Sequence, residues 1–311
     1  MSTELQHPIV VGVDGTDQSS RAVRFAVQEA KRYGCGVFLV HAIHETAPLA
    51  PMLPLISIET LEEVGEKIVA DARQLVRDIA EDDVPVATLV KPGTRAQVLC
   101  TAGENARMIV LGHRDRSLLG RVFTSATTTG VGARAHCPVV CIPSTWTAGH
   151  EFARVVVGLD GSAPSKDALA LAFQAAADRE AKLTVLHAWK LASGYDDIIA
   201  SRVMVDDWLK HAGAQMDEIV APWRELYPDV EVEIDLRHQY PAHALVGATE
   251  GADLIVVGRR GHGAPLGIYL GSIARTLIRE ARCPVEIAPH HRPEEASTDR
   301  RMTQEQDSPQ A

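Results

Sequence analysis

A glycine-rich segment, GRRGHGAPLGIYLGS, runs from Gly258 to Ser272 and holds the residues best suited to chemistry. It follows an apolar run at 254–257 that predicts a β-strand, and it leads into a helical pattern that begins near Ser272. Glycines let the backbone approach an anion closely and turn successive N–H groups toward it. A helix start adds further N–H donors, and Arg259 and Arg260 add positive charge. The segment therefore predicts phosphate binding, while glycines that only make turns are the simpler alternative.

Two better-known phosphate motifs do not fit this segment. The P-loop pattern GxxxxGK(S/T) needs a lysine before its hydroxyl residue, and here Gly271 precedes Ser272. The spacing Gly261-x-Gly263-x-x-x-Gly267 is similar to a dinucleotide-binding fingerprint, but that fingerprint follows the first strand of its domain. This segment follows the fourth, and its helix begins four residues late. We therefore predict neither a P-loop nucleoside triphosphatase nor a dinucleotide-binding fold.

The segment lies in the second of two copies of one domain, because the chain matches itself when it is shifted by 146 positions. Four blocks align in order: VVGVDGT at 10–16 with VVGLDGS at 156–162, LVHA at 39–42 with VLHA at 185–188, VLG at 110–112 with VVG at 256–258, and HCPV at 136–139 with RCPV at 282–285. The period is too long for a solenoid, so each copy should be a complete fold.

Apolar runs alternate with helical patterns in both copies, which predicts βαβ units. The predicted strands are 9–13, 37–43, 86–90, 108–111 and 139–142, then 155–159, 183–188, 230–236, 254–257 and 285–288. The predicted helices include 17–33 and 61–79, then 164–179, 197–226, 242–249 and 272–280. Pro222 should kink or end the helix at 197–226. We predict domains at 1–143 and 154–289, a linker at 144–153, and a disordered polar tail at 290–311.

Composition excludes several function classes. The net charge of −10 argues against nucleic acid as a partner, because phosphate neutralisation needs a basic face. Neither a membrane span nor a signal peptide is recognisable, so we expect a cytoplasmic protein. The five cysteines form no CxxC pair and lie in apolar surroundings, which favours reduced core thiols. We expect no metal site, since nothing near His290 and His291 supplies a third ligand.

The pattern Gly258-x2-Gly261-x9-Gly271-Ser272 resembles the G-2x-G-9x-G(S/T) ATP-binding motif of the universal stress protein family. The opening Asp160 block, the strand end at His187 and the closing CPV strand are similar to other landmarks of that family, in the same order. The resemblance covers nearly the whole chain as a tandem pair. It implies an α/β fold with two doubly wound domains, each a five-stranded parallel sheet of order 3-2-1-4-5 with helices on both faces.

The resemblance also implies a site for ATP, with or without Mg²⁺, across the carboxyl ends of strands one and four of the second domain. Asp160 would lie near the ribose and adenine, Ala188 would offer backbone groups to adenine, and the glycine segment would hold the phosphates. The implied site residues are Gly158, Asp160, Ala188, Gly258, Arg260, Gly261, Gly263, Gly271, Ser272 and Ile273. The alternatives are a turn or helix-capping role for Asp160 and a hydrogen-bonded core role for His41 and His187, and for the histidines we favour the latter.

The first copy departs from the motif, because its matching residues are Gly112-x2-Asp115-x9-Ser125-Ala126. Asp115 brings a negative charge to the predicted phosphate position, and at about 4 Å such repulsion costs roughly 1–4 kcal/mol. We therefore predict a degenerate site with weak or absent nucleotide binding. Its residues are Gly12, Asp14, Ala42 and Gly112.

The sequence favours an ATP-binding regulatory or stress-response module that acts on a protein partner or on its own assembly. Two alternatives stay open: a slow ATP hydrolase or phosphotransferase, and a nucleotide-independent interaction scaffold. Hydrolysis needs a positioned base with metal or arginine help, and no paired carboxylates accompany the glycine segment. The resemblance further implies that the fifth strands pair across a two-fold axis, as an internal pseudo-dimer or in a homodimer. Exposed apolar edges call for such pairing.

Overall fold

The computed structural model describes residues 5–43, 58–81, 83–113, 124–149, 152–190, 205–260 and 270–289. The predicted tail at 290–311 lies outside the described residues, as do Asp115, Gly261 and Gly263. No helix in the described part of the chain is long and apolar enough to cross a membrane.

The described elements alternate between strand and helix in each half. The first half contains β1 (Ile9–Gly12), α1 (Asp17–Tyr33), β2 (Val37–Ile43), α2 (Ile58–Ala80), β3 (Val86–Pro92), α3 (Arg95–Ala102), β4 (Met108–Gly112), α4 (Thr124–Arg134) and β5 (Val139–Ile142). The second half contains β6 (Arg154–Gly158), α5 (Ala163–Ala177), β7 (Lys182–Trp189), α6 (Val205–Leu226), β8 (Val232–His238), α7 (Pro241–Ala248), β9 (Leu254–Gly258), α8 (Ser272–Glu280) and β10 (Val285–Ala288).

The two halves share one ten-stranded sheet of order β3-β2-β1-β4-β5-β10-β9-β6-β7-β8. Each half therefore has the predicted order 3-2-1-4-5, and its strands pair in parallel. The halves join where β5 and β10 pair antiparallel, with Glu286 opposite Val140. This pairing covers the two apolar fifth strands, which would be exposed edges if each half were a separate sheet.

Alternating strand residues build a core on each face of the sheet. Val11 and Val157 lie in one hydrophobic cluster, whereas Val10 and Val156 lie in the other, because successive side chains of a strand point to opposite faces. All four side chains are fully buried. Both clusters contain residues of both halves, so the core is continuous across the junction.

Local signals fix several helix ends. The Thr16 hydroxyl accepts a hydrogen bond from the Ser19 N–H at the start of α1, and Gly34 ends that helix at φ 61°. Of the two effects predicted for Pro222, a kink or a helix end, the end does not occur, because α6 continues to Leu226, the predicted last residue. Proline removes one backbone donor, and so close to a helix terminus this loss affects a single hydrogen bond.

All five cysteines are free thiols, as expected, and three are buried: Cys137, Cys141 and Cys283. Burial raises the pKa of Cys137 to about 11.

Candidate nucleotide site

A cavity of about 490 Å³ opens at the carboxyl ends of β6 and β9, where doubly wound sheets bind ligands. Eight of the ten predicted site residues line it: Gly158, Asp160, Ala188, Gly258, Arg260, Gly271, Ser272 and Ile273. The remaining two, Gly261 and Gly263, lie outside the described residues. The structure thus gathers side chains from four separate segments around one space.

The start of α8 forms one wall of the cavity, with Ser272, Ile273 and Ala274 lining it. The helix has no side-chain cap: Gly271 occupies the N-cap position and offers no hydroxyl or carboxylate. The first N–H groups of a helix have no intrahelical acceptor, so they are available to an anion. The Gly271 N–H donates to the Arg259 carbonyl at 2.9 Å, which closes the base of the glycine-rich segment.

The two arginines of this segment lie in different places. Arg260 lines the cavity, as the sequence predicted. The Arg259 side chain instead crosses to the first half, where its guanidinium donates to the buried carbonyl of Ala135, just past α4. Burial, together with the neighbouring Arg260 charge, lowers the pKa of Arg259. The prediction that both arginines add charge beside the glycine segment therefore holds for Arg260 alone.

Asp160 stabilises the turn that follows β6, which is the structural role that the sequence offered as an alternative to a ligand contact. Its carboxylate accepts from the Ser162 N–H at 3.0 Å and from the Ser162 hydroxyl at 2.5 Å. Gly161 between them has φ 78°, a left-handed conformation that favours glycine. Asp14 makes the same contacts with Thr16 in the first half, at 3.1 and 2.6 Å. The carboxylate of Asp160 still lies on the cavity wall, so its turn role is compatible with a ligand contact.

Part of the cavity wall is apolar. Leu186, Leu245 and Val257 form its walls together with Pro241, the first residue of α7. A Cβ atom at Gly158 would lie 2.9 Å from Leu245 Cδ2, so a larger residue there would intrude on this wall. The surface is suited to a flat, apolar group such as a nucleobase.

His187 in β7 and His41 in β2 make hydrogen bonds to the backbone, the role that the sequence analysis favoured for them. Nδ1 of His187 lies 2.8 Å from the Leu159 carbonyl oxygen, and Nδ1 of His41 lies 2.8 Å from that of Val13. Each bond ties strand two to the segment that follows strand one.

Sequence reasoning missed an aromatic cluster beside His187. Trp208 stacks on His187 with ring centroids 5.7 Å apart, and Trp189 contacts both Trp208 and His238 at 4.7 and 4.6 Å. These residues come from β7, β8 and α6, so no spacing along the chain could have revealed the cluster.

The first half has a cavity at the equivalent place, with a volume of about 390 Å³. The four predicted residues of the degenerate site line it: Gly12, Asp14, Ala42 and Gly112. Arg95 and Thr127 stand where the second half has Pro241 and Ile273, so this cavity is more polar. A Cβ atom on Gly112 would lie 2.2 Å from the Gln18 carbonyl oxygen, so this glycine is required by packing whatever the cavity holds.

Comparison with known proteins places this geometry in context. The sequence profile of the universal stress protein family matches residues 6–143 and 151–289. A universal stress protein of Mycolicibacterium smegmatis is 31% identical over 290 residues, which cover 91% of this chain and 97% of that protein. A universal stress protein of Mycobacterium tuberculosis H37Rv is 31% identical over 291 residues, which cover 91% of this chain and 97% of that protein.

A solved structure of a universal stress protein from Archaeoglobus fulgidus superposes with a TM-score of 0.67 at 19% identity. The match covers 92% of this chain and 99% of that one, and at this identity it shows the fold.

Proposed function

The chain belongs to the universal stress protein family, and from this premise we propose that it is a regulatory module that binds ATP mainly in its second domain. In this proposal, ATP binding alters a protein partner or the protein's own assembly. The observation that carries it is the cavity at the ends of β6 and β9, because eight residues of the motif-based site converge there.

The chemistry of this cavity suits a nucleotide from end to end. Its apolar walls at Leu245 and Val257 offer a surface for a base, while Asp160 supplies a carboxylate. The uncapped start of α8 and Arg260 supply N–H donors and positive charge for phosphates. Bound ATP would bring polyphosphate, ribose and base together, and the chain offers a matching group for each.

Several features favour the second domain over the first. The second cavity is larger, at about 490 against 390 Å³. The first domain carries Asp115 and Ser125 where the second has Gly261 and Gly271, which adds a negative charge and removes two glycines from the phosphate segment. Two like charges about 4 Å apart repel by about 1–4 kcal/mol.

We propose binding rather than turnover. Phosphoryl transfer usually needs a positioned base with metal or arginine help around the reacting phosphate. Among the described residues that line the second cavity, Asp160 is the single carboxylate, and Ser162 already occupies one of its oxygens with two hydrogen bonds. This arrangement supports retention of ATP.

The deciding experiment measures nucleotide in protein denatured after native purification, together with ATP affinity by calorimetry. We expect bound ATP in the wild type and at least a tenfold loss of affinity in Gly261→Glu, which fills the segment and adds repulsion. The matched control is Asp115→Gly in the first domain, which should leave the second site intact and add a weaker second binding event.

The outcomes separate the possible functions. An empty preparation with no heat of ATP binding would refute the proposal and favour an interaction scaffold. Unchanged affinity in Gly261→Glu would refute the site, and sustained phosphate release that this variant abolishes would establish an enzyme instead.

A further inference from the structure

A second, larger cavity of about 600 Å³ lies where the two halves meet. It is bounded by α1, by linker residues 145–147 and by the segments that lead into β6, β9 and β10. Because these segments precede their strands, the cavity lies at the amino ends of the second-half strands, at the opposite end from the nucleotide site. Its volume falls within the range of small-molecule sites, which occur preferentially at domain interfaces.

The charged groups of this cavity have their carboxylates already engaged. Glu29 has a side chain that is 1% exposed, and its two oxygens accept separately from Arg32 and from Arg179 of the other half. Both oxygens of Asp253 accept backbone N–H groups, from Phe152 and Arg154 at 2.8 Å each. At the rim, exposed Glu250 pairs with exposed Arg282.

The arginines, in contrast, have donors to spare. A guanidinium carries five N–H bonds. Within the described residues, the hydrogen bonds of Arg32 go to Glu29, and those of Arg179 go to Glu29, Tyr33 and the Ala175 carbonyl. The side chain of Arg179 is 9% exposed, so its charge faces little water. Both guanidinium groups therefore keep N–H donors beyond these bonds, and two guanidinium groups match a carboxylate well.

The walls beside these arginines are aromatic. Phe25 of α1 and Trp146 of the linker meet edge to face with ring centroids 5.6 Å apart. Phe152 also lines the cavity and is 58% exposed, a high value for a large apolar side chain. Aromatic faces favour a flat apolar ligand, and they leave the guanidinium groups to fix its charged end.

The charged cluster also breaks the internal repeat. At the shift of 146 positions, Glu29 corresponds to Ala175, Arg32 to Asp178 and Arg179 to Tyr33. The two copies therefore contribute different side chains to the cluster, Glu29 and Arg32 from the first and Arg179 from the second. Buried ion pairs are often no more stabilising than apolar residues of the same volume, so fold stability alone gives little reason for this cluster.

We propose that the junction cavity binds a small aromatic carboxylate, with its carboxylate on Arg32 and Arg179 and its ring against Phe25 and Trp146. The volume, the remaining guanidinium donors and the aromatic walls converge on this class of ligand. Such a ligand touches α1, the linker and the second half together, so its binding stabilises the junction.

Calorimetry and ligand-observed NMR test the proposal on the full chain, with benzoate, phenylacetate and indole-3-acetate as probes. Benzamide and benzylamine are the matched neutral and cationic probes, at equal ionic strength. We expect the carboxylates to bind at least tenfold more tightly than either. Arg32→Gln should weaken carboxylate binding at least tenfold and Trp146→Leu severalfold, while the rim variant Arg282→Gln should stay within twofold of wild type.

Circular dichroism and the thermal midpoint establish that each variant is folded, and Trp146→Leu, in the linker, keeps the test available if Arg32→Gln is unstable. The proposal fails if benzamide binds as tightly as benzoate, if both variants bind like wild type, or if no carboxylate binds at millimolar concentration. It also fails if ATP competes with the carboxylates, because they would then occupy the nucleotide site. Since the proposal does not rest on ATP binding, Gly261→Glu should bind the probes like wild type.

Discussion

Glu286 places a carboxyl group in the middle of the ten-stranded sheet, and Glu286→Gln tests what that group does to stability. It lies in β10, opposite Val140 of β5 and beside Val256 of β9, and it is 5% exposed. Glutamine has nearly the same shape and mimics the neutral acid. The substitution therefore removes the ionisation and keeps the packing.

Burial raises the pKa of Glu286 from its ordinary value of 4.5 to about 7. The Arg179 charge opposes this rise, whereas the carboxylates of Glu29 and Asp178 reinforce it. Between pH 4.5 and 7 the folded protein therefore favours the protonated acid, whereas the unfolded chain, with an ordinary pKa, favours the carboxylate.

The sign and size of the effect follow from linkage. Between pH 4.5 and 7 the folded state binds more protons at this residue than the unfolded state, so the free energy of unfolding falls as pH rises. Above pH 7 the whole penalty applies. At about 1.4 kcal/mol for each pH unit between the two values, it amounts to roughly 3 kcal/mol.

Urea unfolding of the wild type and Glu286→Gln at pH 5, 6, 7, 8 and 9 measures this penalty. We expect nearly equal stability at pH 5 and a variant that is more stable by roughly 3 kcal/mol at pH 8 and above. Glu280→Gln, at an exposed residue of α8 that pairs with Arg279, should follow the wild type at every pH. A variant that is less stable at pH 8 would show that the attraction of the Arg179 charge outweighs burial, and a difference that does not change with pH would show that Glu286 has an ordinary pKa in the folded protein.

Three further substitutions test packing. Arg259→Met should lower the free energy of unfolding by about 1–3 kcal/mol, because it removes the donor to the buried carbonyl just past α4; chemical denaturation measures this, and a loss no greater than that of exposed Arg279→Met would contradict it. Gly112→Ala should destabilise by at least about 1–3 kcal/mol, because its Cβ would meet the Gln18 carbonyl. Gly247→Ala, in α7 with open space around it, should instead stabilise by about 0.5–1 kcal/mol; equal thermal midpoints for these two alanine variants would refute the reasoning.

The fold was predictable from the sequence because its signals are local and repeated. Apolar runs with turn residues between them predict buried parallel strands, and the matching blocks at one offset indicate two copies. One boundary that moved is the end of β8, which was predicted at residue 236 and lies at His238, where the side chain packs on Trp189. This contact has no signature in the local spacing.

The site was predictable in part, for the same reason. Backbone-defined positions such as Gly158 and Gly271 reach the cavity because strand ends and helix starts determine their location. Side-chain directions are set by packing, so adjacent Arg259 and Arg260 look alike in the sequence and diverge in the structure. The aromatic cluster around Trp208 and the ion pair between Glu29 and Arg179 join residues far apart in the chain, and no local pattern identifies them.

The contacts between the halves show how a symmetric fold can hold two unequal sites. In the antiparallel pairing of β5 and β10 the two copies have equivalent backbone positions, whereas the side chains around the pairing differ between the copies. Arg259 corresponds to His113 in the first copy, so the arginine that follows β9 and reaches the other half occurs once in the repeat. Its hydrogen bond to the Ala135 carbonyl links the residue after β9 to the end of α4, the helix whose start lies beside the first cavity.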